Sequence, residues 1–268
     1  MQVIYKTPDQ IELIRVSSLL VGDTLAEVAA ALRPGITTLE LDRIAETFIR
    51  DQKSVPAFKG YNGFPGTLCI SVNAEVVHGI PGKRELKDGD VVSIDCGVIK
   101  DAYFGDSAYT FTIGDGTEIT RKLLKVTKES LYLGIEKAIV GCRIGDISAA
   151  VQDHAETNGF GVVRELVGHG VGVRLHEKPE VPNYGKKGSG MPLKSGMVIA
   201  IEPMINAGRR SIKQLDDGWT ILTSDLMPSA HFEHTVAIGV QKADVLSSFV
   251  KIEEAEFKNI NLSKIAIA

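Results

Sequence analysis

Leu86-Lys87-Asp88-Gly89-Asp90-Val91-Val92-Ser93-Ile94-Asp95 recurs without a gap 107 residues later, as Leu193-Lys194-Ser195-Gly196-Met197-Val198-Ile199-Ala200-Ile201-Glu202. Each copy is a turn with a glycine, then an apolar run of strand character, then a carboxylate. A second match, at an offset of 110, sets Gly35…Ala45-Glu46-Thr47 on Gly145…Ala155-Glu156-Thr157. Each half of the chain therefore carries a helix, then strands, then an acid at a strand end. The duplication predicts two α/β halves related by a pseudo-twofold axis, about 7–115 and 116–240, with one acid from each meeting at the centre. No linker or low-complexity segment cuts the chain, so residues 1–268 are expected to form a single catalytic domain.

Outward from the repeat, Thr7-Pro8-Asp9-Gln10 offers an N-cap, a proline at the first helical position and a capping-box glutamine. A helix or helix pair follows and stops at Arg33-Pro34-Gly35. Thr37-Thr38-Leu39-Glu40 is a second capping box. Residues 54–75 read as an ordered loop with short strands. Strands are expected at Leu68–Val72, Val91–Cys96 and Ala108–Ile113. A long helix is expected from about Thr117 to Val140, and a shorter one from an Asp146 N-cap to Thr157. The tail, 243–268, is polar and weakly patterned and reads as a surface appendage or a frayed end.

The composition is that of a globular protein: 44% hydrophobic, 24% charged, net charge −4 over 268 residues. No apolar run approaches the roughly 18–20 residues of a membrane span, and the first residues carry no export signal. No basic tract is present, so sequence-specific nucleic-acid binding is not expected. The three cysteines, Cys69, Cys96 and Cys142, include no Cys-x-x-Cys. Neither a disulfide scaffold nor a zinc ribbon fits, and a cytoplasmic protein with reduced thiols is expected.

The chemistry starts from Asp95, set inside an apolar strand, where a charge needs a partner. Asp106 follows eleven residues later, and a strand, a turn and a return strand would bring the two acids side by side. Adjacent carboxylates repel unless they share a proton or bridge a metal. Glu202 is the repeat mate of Asp95; Glu233 stands in a further apolar strand; His169 lies in Gly168-His169-Gly170, whose glycines would let the backbone approach a ligand. Four carboxylates and one imidazole make an oxygen-rich donor set. It suits a pair of Mn²⁺, Fe²⁺, Co²⁺ or Zn²⁺ ions better than a thiolate site does. The reaction class is metal-assisted hydrolysis. His78 and His176 stand beside turn residues, where they would hold a substrate carbonyl or donate to an intermediate; a surface-loop histidine is the competing reading for each. His231-Phe232-Glu233 mimics a deaminase His-x-Glu, but no Pro-Cys-x-x-Cys follows, and it is set aside.

Ser93-Ile94-Asp95-Cys96-Gly97, Tyr103-Phe104-Gly105-Asp106, Gly168-His169-Gly170-Val171-Gly172, His176-Glu177-Lys178-Pro179, Ile201-Glu202-Pro203-Met204 and Phe232-Glu233-His234-Thr235 resemble the methionine aminopeptidase family. The resemblance runs from about residue 7 to 240 and looks like the compact bacterial type I. It implies the pita-bread fold: a curved antiparallel sheet, outer helices and internal pseudo-twofold symmetry. It implies removal of the N-terminal methionine from nascent chains, some of them at the ribosome, when residue 2 is small. The implied enzyme is a cytoplasmic monomer. Asp106 and Glu233 look like the ligands that bridge both ions. Asp95 looks like a ligand of one ion, and His169 and Glu202 like ligands of the other. Glu202 is also the implied proton shuttle. His78 looks like the contact to the scissile peptide unit, and His176 like the stabiliser of the carbonyl oxygen. The implied methionine pocket is Tyr61, Phe64, Cys69, Leu175 and Trp219, apolar and sulfur-tolerant. Phe64 and Leu175 depart from the tyrosine and phenylalanine common in the family, and Phe58 from the common cysteine. Rival readings are an Xaa-Pro-type hydrolase, a divergent paralogue, or a non-catalytic binding relative of the same fold. Gln2 is large, so Met1 is expected to be retained.

Overall fold

The two aligned stretches each take the centre of an antiparallel sheet. In the computed structural model, which describes residues 2–264, the strand Val91–Lys100 lies between Leu68–Val72 and Tyr103–Thr112. Its repeat mate Val198–Ile201 lies between Val167–Gly170 and His234–Ala237, with Glu177–Pro182 and Asp244–Val245 on the outer sides. The halves are stitched where Tyr103–Thr112 meets residues 231–235. Ser107 Oγ donates to the Glu233 carbonyl (2.6 Å), the Glu233 N–H to the Ala108 carbonyl (3.0 Å) and Thr235 Oγ1 to the Asp106 carbonyl (2.8 Å). These bonds fix the two central acid-bearing regions against each other. Met1, expected to be retained, and the last four residues of the tail lie outside the described residues.

Helix α1 is a single element, Pro8–Ala31, not a pair. It is opened by the Thr7–Gln10 capping box and ended at Leu32, just before Pro34. It lies directly on the long hairpin 91–112. A Cβ at Gly105 would stand 2.3 Å from the Ser18 nitrogen, so only glycine permits this approach of helix to strand. Helix α2, Thr38–Asp51, packs beside α1, opened by the Thr37–Glu40 capping box. Helices α3, Glu118–Ile135, and α4, Ile144–Thr157, pack on each other in the second half.

Several boundaries differ from expectation. The hairpin strands are longer, because the chain reverses only at Asp101-Ala102, both left-handed (φ 49° and 66°). Asp106 is therefore inside a strand. Helix α3 stops at Ile135, not near Val140, because Val140 turns its N–H to the Gly239 carbonyl (2.9 Å) instead of continuing the helix. Helix α4 begins three residues before expected. Arg143 is its N-cap, and Asp146 sits one turn in, accepting the Arg143 N–H at 2.7 Å.

The tail is no appendage. Helix α5, Val250–Lys258, packs on α1, with Phe249 and Ile252 buried. Asn259 Nδ2 donates to the Ala29 and Leu32 carbonyls (2.9 and 2.7 Å) and so caps α1. Beneath α5 the buried Lys128, Tyr109 and Glu256 form a polar group that reaches the surface at Glu253. Lys128 Nζ donates to Glu253 (2.7 Å) and Tyr109 (3.1 Å), and the Tyr109 hydroxyl donates to Glu256 Oε2 (3.0 Å). The other Glu256 oxygen accepts no bond among the described residues. Burial pushes this carboxyl up to about 7. A carboxyl raised on folding contributes its full stability below 4.5 and loses it as pH climbs to about 7. The wild type is thus expected to lose up to about 3 kcal/mol from this group between those limits. The Glu256→Gln variant should lack that component, and urea titrations of both proteins at pH 5 and pH 8 read the difference. Equal slopes in the two proteins would count against it.

Candidate active site

Asp95 and Asp106 come from neighbouring strands of the long hairpin. Asp95 stands opposite Ala108 and Asp106 opposite Gly97, so the two acids are diagonal neighbours on one face of the sheet. Their counterparts in the second half occupy interruptions. Glu202 follows the strand Val198–Ile201 and precedes Pro203, and Glu233 falls between Ser229–His231 and His234–Ala237. Asn183 Nδ2 donates to the Glu202 carbonyl at 3.0 Å and holds the first of these breaks. His169 projects from Val167–Gly170. Its flanking glycines are required by strand packing: a Cβ on Gly168 would lie 2.4 Å from the Ala200 carbonyl oxygen, and one on Gly170 2.5 Å from that of Lys178.

These side chains converge. Ligating atoms of Asp106, His169 and Glu233 lie within 4.8 Å of one another. His169 Nε2 is 3.8 Å from Asp106 Oδ2 and 3.5 Å from Glu202 Oε1. His169 Nδ1 is 3.0 Å from the Gly170 carbonyl. A carbonyl can only accept, so that nitrogen carries the proton and the Nε2 lone pair faces the acids. Burial depresses the imidazole to about 3, keeping it neutral. Burial likewise pushes the carboxyls of Asp106, Glu202 and Glu233 well above their usual range, with each other's and Asp95's negative charge adding to it, and pushes Asp95 up to about 7.

Asp95 Oδ1, Asp106 Oδ1 and Glu233 Oε1 are buried and bond to nothing among the described residues. Buried acceptors without donors are expensive, and four carboxylates so placed cannot all ionise unaided. Divalent cations answer both demands, and the donor set, carboxylate oxygens with one neutral imidazole, is one they accept. The residues therefore fit a metal centre.

The cluster forms the floor of a cavity of about 390 Å³. One side is apolar: Phe58, Phe64, Cys69 and Leu175 are buried there, with Tyr61 and Trp219 at its edge. Trp219 packs edge-on against Phe64, centroids 5.1 Å apart. Burial, helped by Asp95 and Asp106, pushes the Cys69 thiol well above its ordinary value, so it stays protonated. His78, left-handed at φ 59°, and His176 both line the same space. Burial lowers the pKa of both, His78 to about 4. His176 Nδ1 is 2.8 Å from the Tyr61 hydroxyl, and its ring stands edge-on to His169 at 4.2 Å. All the residues singled out in the sequence thus meet in one cavity.

One more residue belongs there. His231, set aside with its deaminase-like motif, is buried with Nε2 unpartnered and 3.7 Å from Glu202 Oε2. It stands two positions before Glu233, and both line the cavity; that spacing was the available signal. Val77, Leu166 and Met204 line the cavity too, apart from the apolar side around Phe64.

Known proteins agree with this geometry. Residues 12–239 match the model of metallopeptidase family M24. A methionine aminopeptidase of Clostridium perfringens is 52% identical over 245 residues, covering 91% of this chain and 98% of that protein. Methionine aminopeptidase 1 of Bacillus subtilis is 51% identical over 245 residues, covering 91% and 99%. Among solved structures, the methionine aminopeptidase of Rickettsia prowazekii superposes with a TM-score of 0.91 at 37% identity, covering 92% of this chain and all of that one. An X-Pro aminopeptidase of Thermotoga maritima, 19% identical with a TM-score of 0.73, shares the fold alone; the match covers 91% of this chain but only 62% of that protein's length. The architecture is the pita-bread fold that such structures share, and the chain belongs to metallopeptidase family M24, among its methionine aminopeptidases.

Proposed function

We propose that this metallo-aminopeptidase releases the N-terminal methionine of nascent polypeptides whose second residue is small, by hydrolysis at two divalent cations. The observation that carries the reading is the buried cluster of orphaned carboxylate oxygens at the floor of an apolar, thiol-lined cavity. Asp95, Asp106, His169, Glu202 and Glu233 would hold the cations. When bound, such ions supply Lewis acidity for the scissile carbonyl and for a water. Mn²⁺, Fe²⁺, Co²⁺ and Zn²⁺ all suit these donors.

The chain's own residues do the rest. Glu202 takes the proton of the attacking water and returns it to the departing amine. His176, its ring held by the Tyr61 hydroxyl 2.8 Å from Nδ1, offers an Nε2–H hydrogen bond to the carbonyl oxygen in the tautomer in which that hydroxyl donates. His78 contacts the scissile peptide unit. Tyr61, Phe64, Cys69, Leu175 and Trp219 take the methionine side chain, whose polarisable sulfur suits an aromatic and thiol-lined slot. Phe58 fills part of that wall, which narrows the side chains admitted. The whole chain works as one catalytic domain, a cytoplasmic monomer acting on chains as they emerge from the ribosome.

The test is release from Met-Ala-Ser, Met-Lys-Ser and Ala-Pro-Ser by protein stripped with chelator and reloaded with each cation in turn. Cation-dependent release from Met-Ala-Ser alone is expected. Cleavage of Ala-Pro-Ser would move the chain to the proline-directed relatives. No release by folded, cation-loaded protein would leave a paralogue with an altered pocket.

A further inference from the structure

Lys6 precedes α1 and residues 12–239 matched to the family model, yet its ammonium is almost wholly buried. Nζ is 2.6 Å from Glu177 Oε2, and the two side chains are 3% and 2% exposed. Burying two charges is costly unless their geometry is good and their remaining bonding capacity is used. Here Glu177 Oε1 also accepts the Arg174 N–H (3.2 Å), and the Lys6 N–H donates to the Gly196 carbonyl (2.7 Å). Gly172 closes over the pair. A Cβ there would lie 2.6 Å from Lys6 Cε and 2.8 Å from Glu177 Oε1.

Glu177 is joined in the chain to His176. The same short loop is held at its start by the Phe104 N–H donating to the Gly172 carbonyl (2.8 Å). The His176 ring is held in front by Tyr61, and its backbone is held behind by the ion pair. A buried pair of this kind adds little net stability over an apolar pair of the same shape. What it adds here is a fixed position for the loop, supplied by a residue 171 positions away in sequence.

We propose that Lys6, through its buried ion pair with Glu177, is a positioning residue for His176. The inference rests on the reading of His176 as the group that faces the scissile carbonyl.

A double-mutant cycle on the cation-loaded protein tests it, with Met-Ala-Ser as substrate. Lys6→Met is expected to lower kcat by about 10- to 100-fold, as small misplacements of a reacting group do. KM should stay within about twofold, because the loss falls on the transition state. On a His176→Ala background the same change should cost almost nothing further, since no imidazole remains to be positioned. Lys6→Met also strands the Glu177 carboxylate, so Lys6→Met/Glu177→Gln is the companion variant. It removes both charges, keeps the shape, and should melt near the wild type while showing the same loss of kcat. In ¹³C–¹H spectra of labelled histidine, the His176 signal should move in both variants, and that of His154 on α4 should not. Full additivity with His176→Ala, or an unmoved His176 signal in the folded double variant, would overturn the proposal. Unchanged kcat in His176→Ala alone is a different failure: it removes the reading of His176 itself, and the proposal with it.

Discussion

The Glu202→Gln variant, saturated with cation and peptide, is expected to release methionine from Met-Ala-Ser about a thousandfold more slowly than the wild type, within the range for loss of a general base. Glutamine keeps the shape of the side chain and one oxygen for a cation, but it cannot take a proton. The backbone at this position is held by the bond from Asn183, and the side chain lies between His169 and His231 at 3.5 and 3.7 Å. Saturating cation offsets the weaker binding that the lost charge brings, so the comparison at saturation reads the loss of basicity. Because proton transfer is made only in the transition state, kcat and kcat/KM should fall together while KM holds. Cation binding followed by calorimetry should persist, weakened by the loss of one negative charge. A kcat within tenfold of wild type, with cation bound, would falsify the role of Glu202 as proton carrier and leave it a ligand only.

How much of this was legible in the sequence depends on whether the signal was local. The repeat located both central strands, because alternation and turn chemistry are written in consecutive residues. It also linked Asp95 to Glu202, although the first lies in the middle of its strand and the second just past the end of its own. The true reach of the hairpin was hidden, since Asp101-Ala102 is a weak turn signature and its left-handed backbone is imposed by the strands it joins. Helix α5 was hidden for another reason: it buries Glu256 beside Ile252, and a buried acid reads as surface until its partner Tyr109 is known. His231 reads as part of a failed motif because its meaning comes from Glu202, on a different strand. Lys6 is the extreme case, a lysine in an exposed-looking N-terminal arm whose partner lies in the other half. Residue types and spacing can pick out the acids and the imidazole that the structure brings together; they cannot show the side chains that hold them in place, because these are tertiary contacts.

Stripping the protein of divalent cations is expected to lower its melting temperature at pH 7.5 by roughly 10 °C. A ligand held a thousandfold above its Kd stabilises by about 4 kcal/mol, and a domain of this size shifts by about 2–4 °C per kcal/mol. The sign with pH follows from the carboxyls. In the stripped protein Asp95 is raised from 3.8 to about 7, and Asp106, Glu202 and Glu233 are raised as well. Groups raised on folding contribute fully below their unfolded values and lose that contribution as pH rises through the folded ones. The stripped protein should therefore weaken as pH rises from about 4 towards 7, because the folded Asp95 still holds a proton that the unfolded chain has released, and Asp106, Glu202 and Glu233 act in the same direction. Cations reverse the trend, because they need the same oxygens ionised and bind better as pH rises. Calorimetric scans of stripped and Mn²⁺-loaded protein at pH 5.5 and 7.5 should show a small gap at the lower pH and a wide one at the higher. Identical melting at pH 7.5 would mean that the cluster is no cation site. A gap that narrows with pH would mean that the acids bind cations in protonated form, which oxygen-ligand chemistry does not allow. The centre is thus a place where the fold stores repulsion, and the cation that removes the repulsion is also the one the chemistry requires.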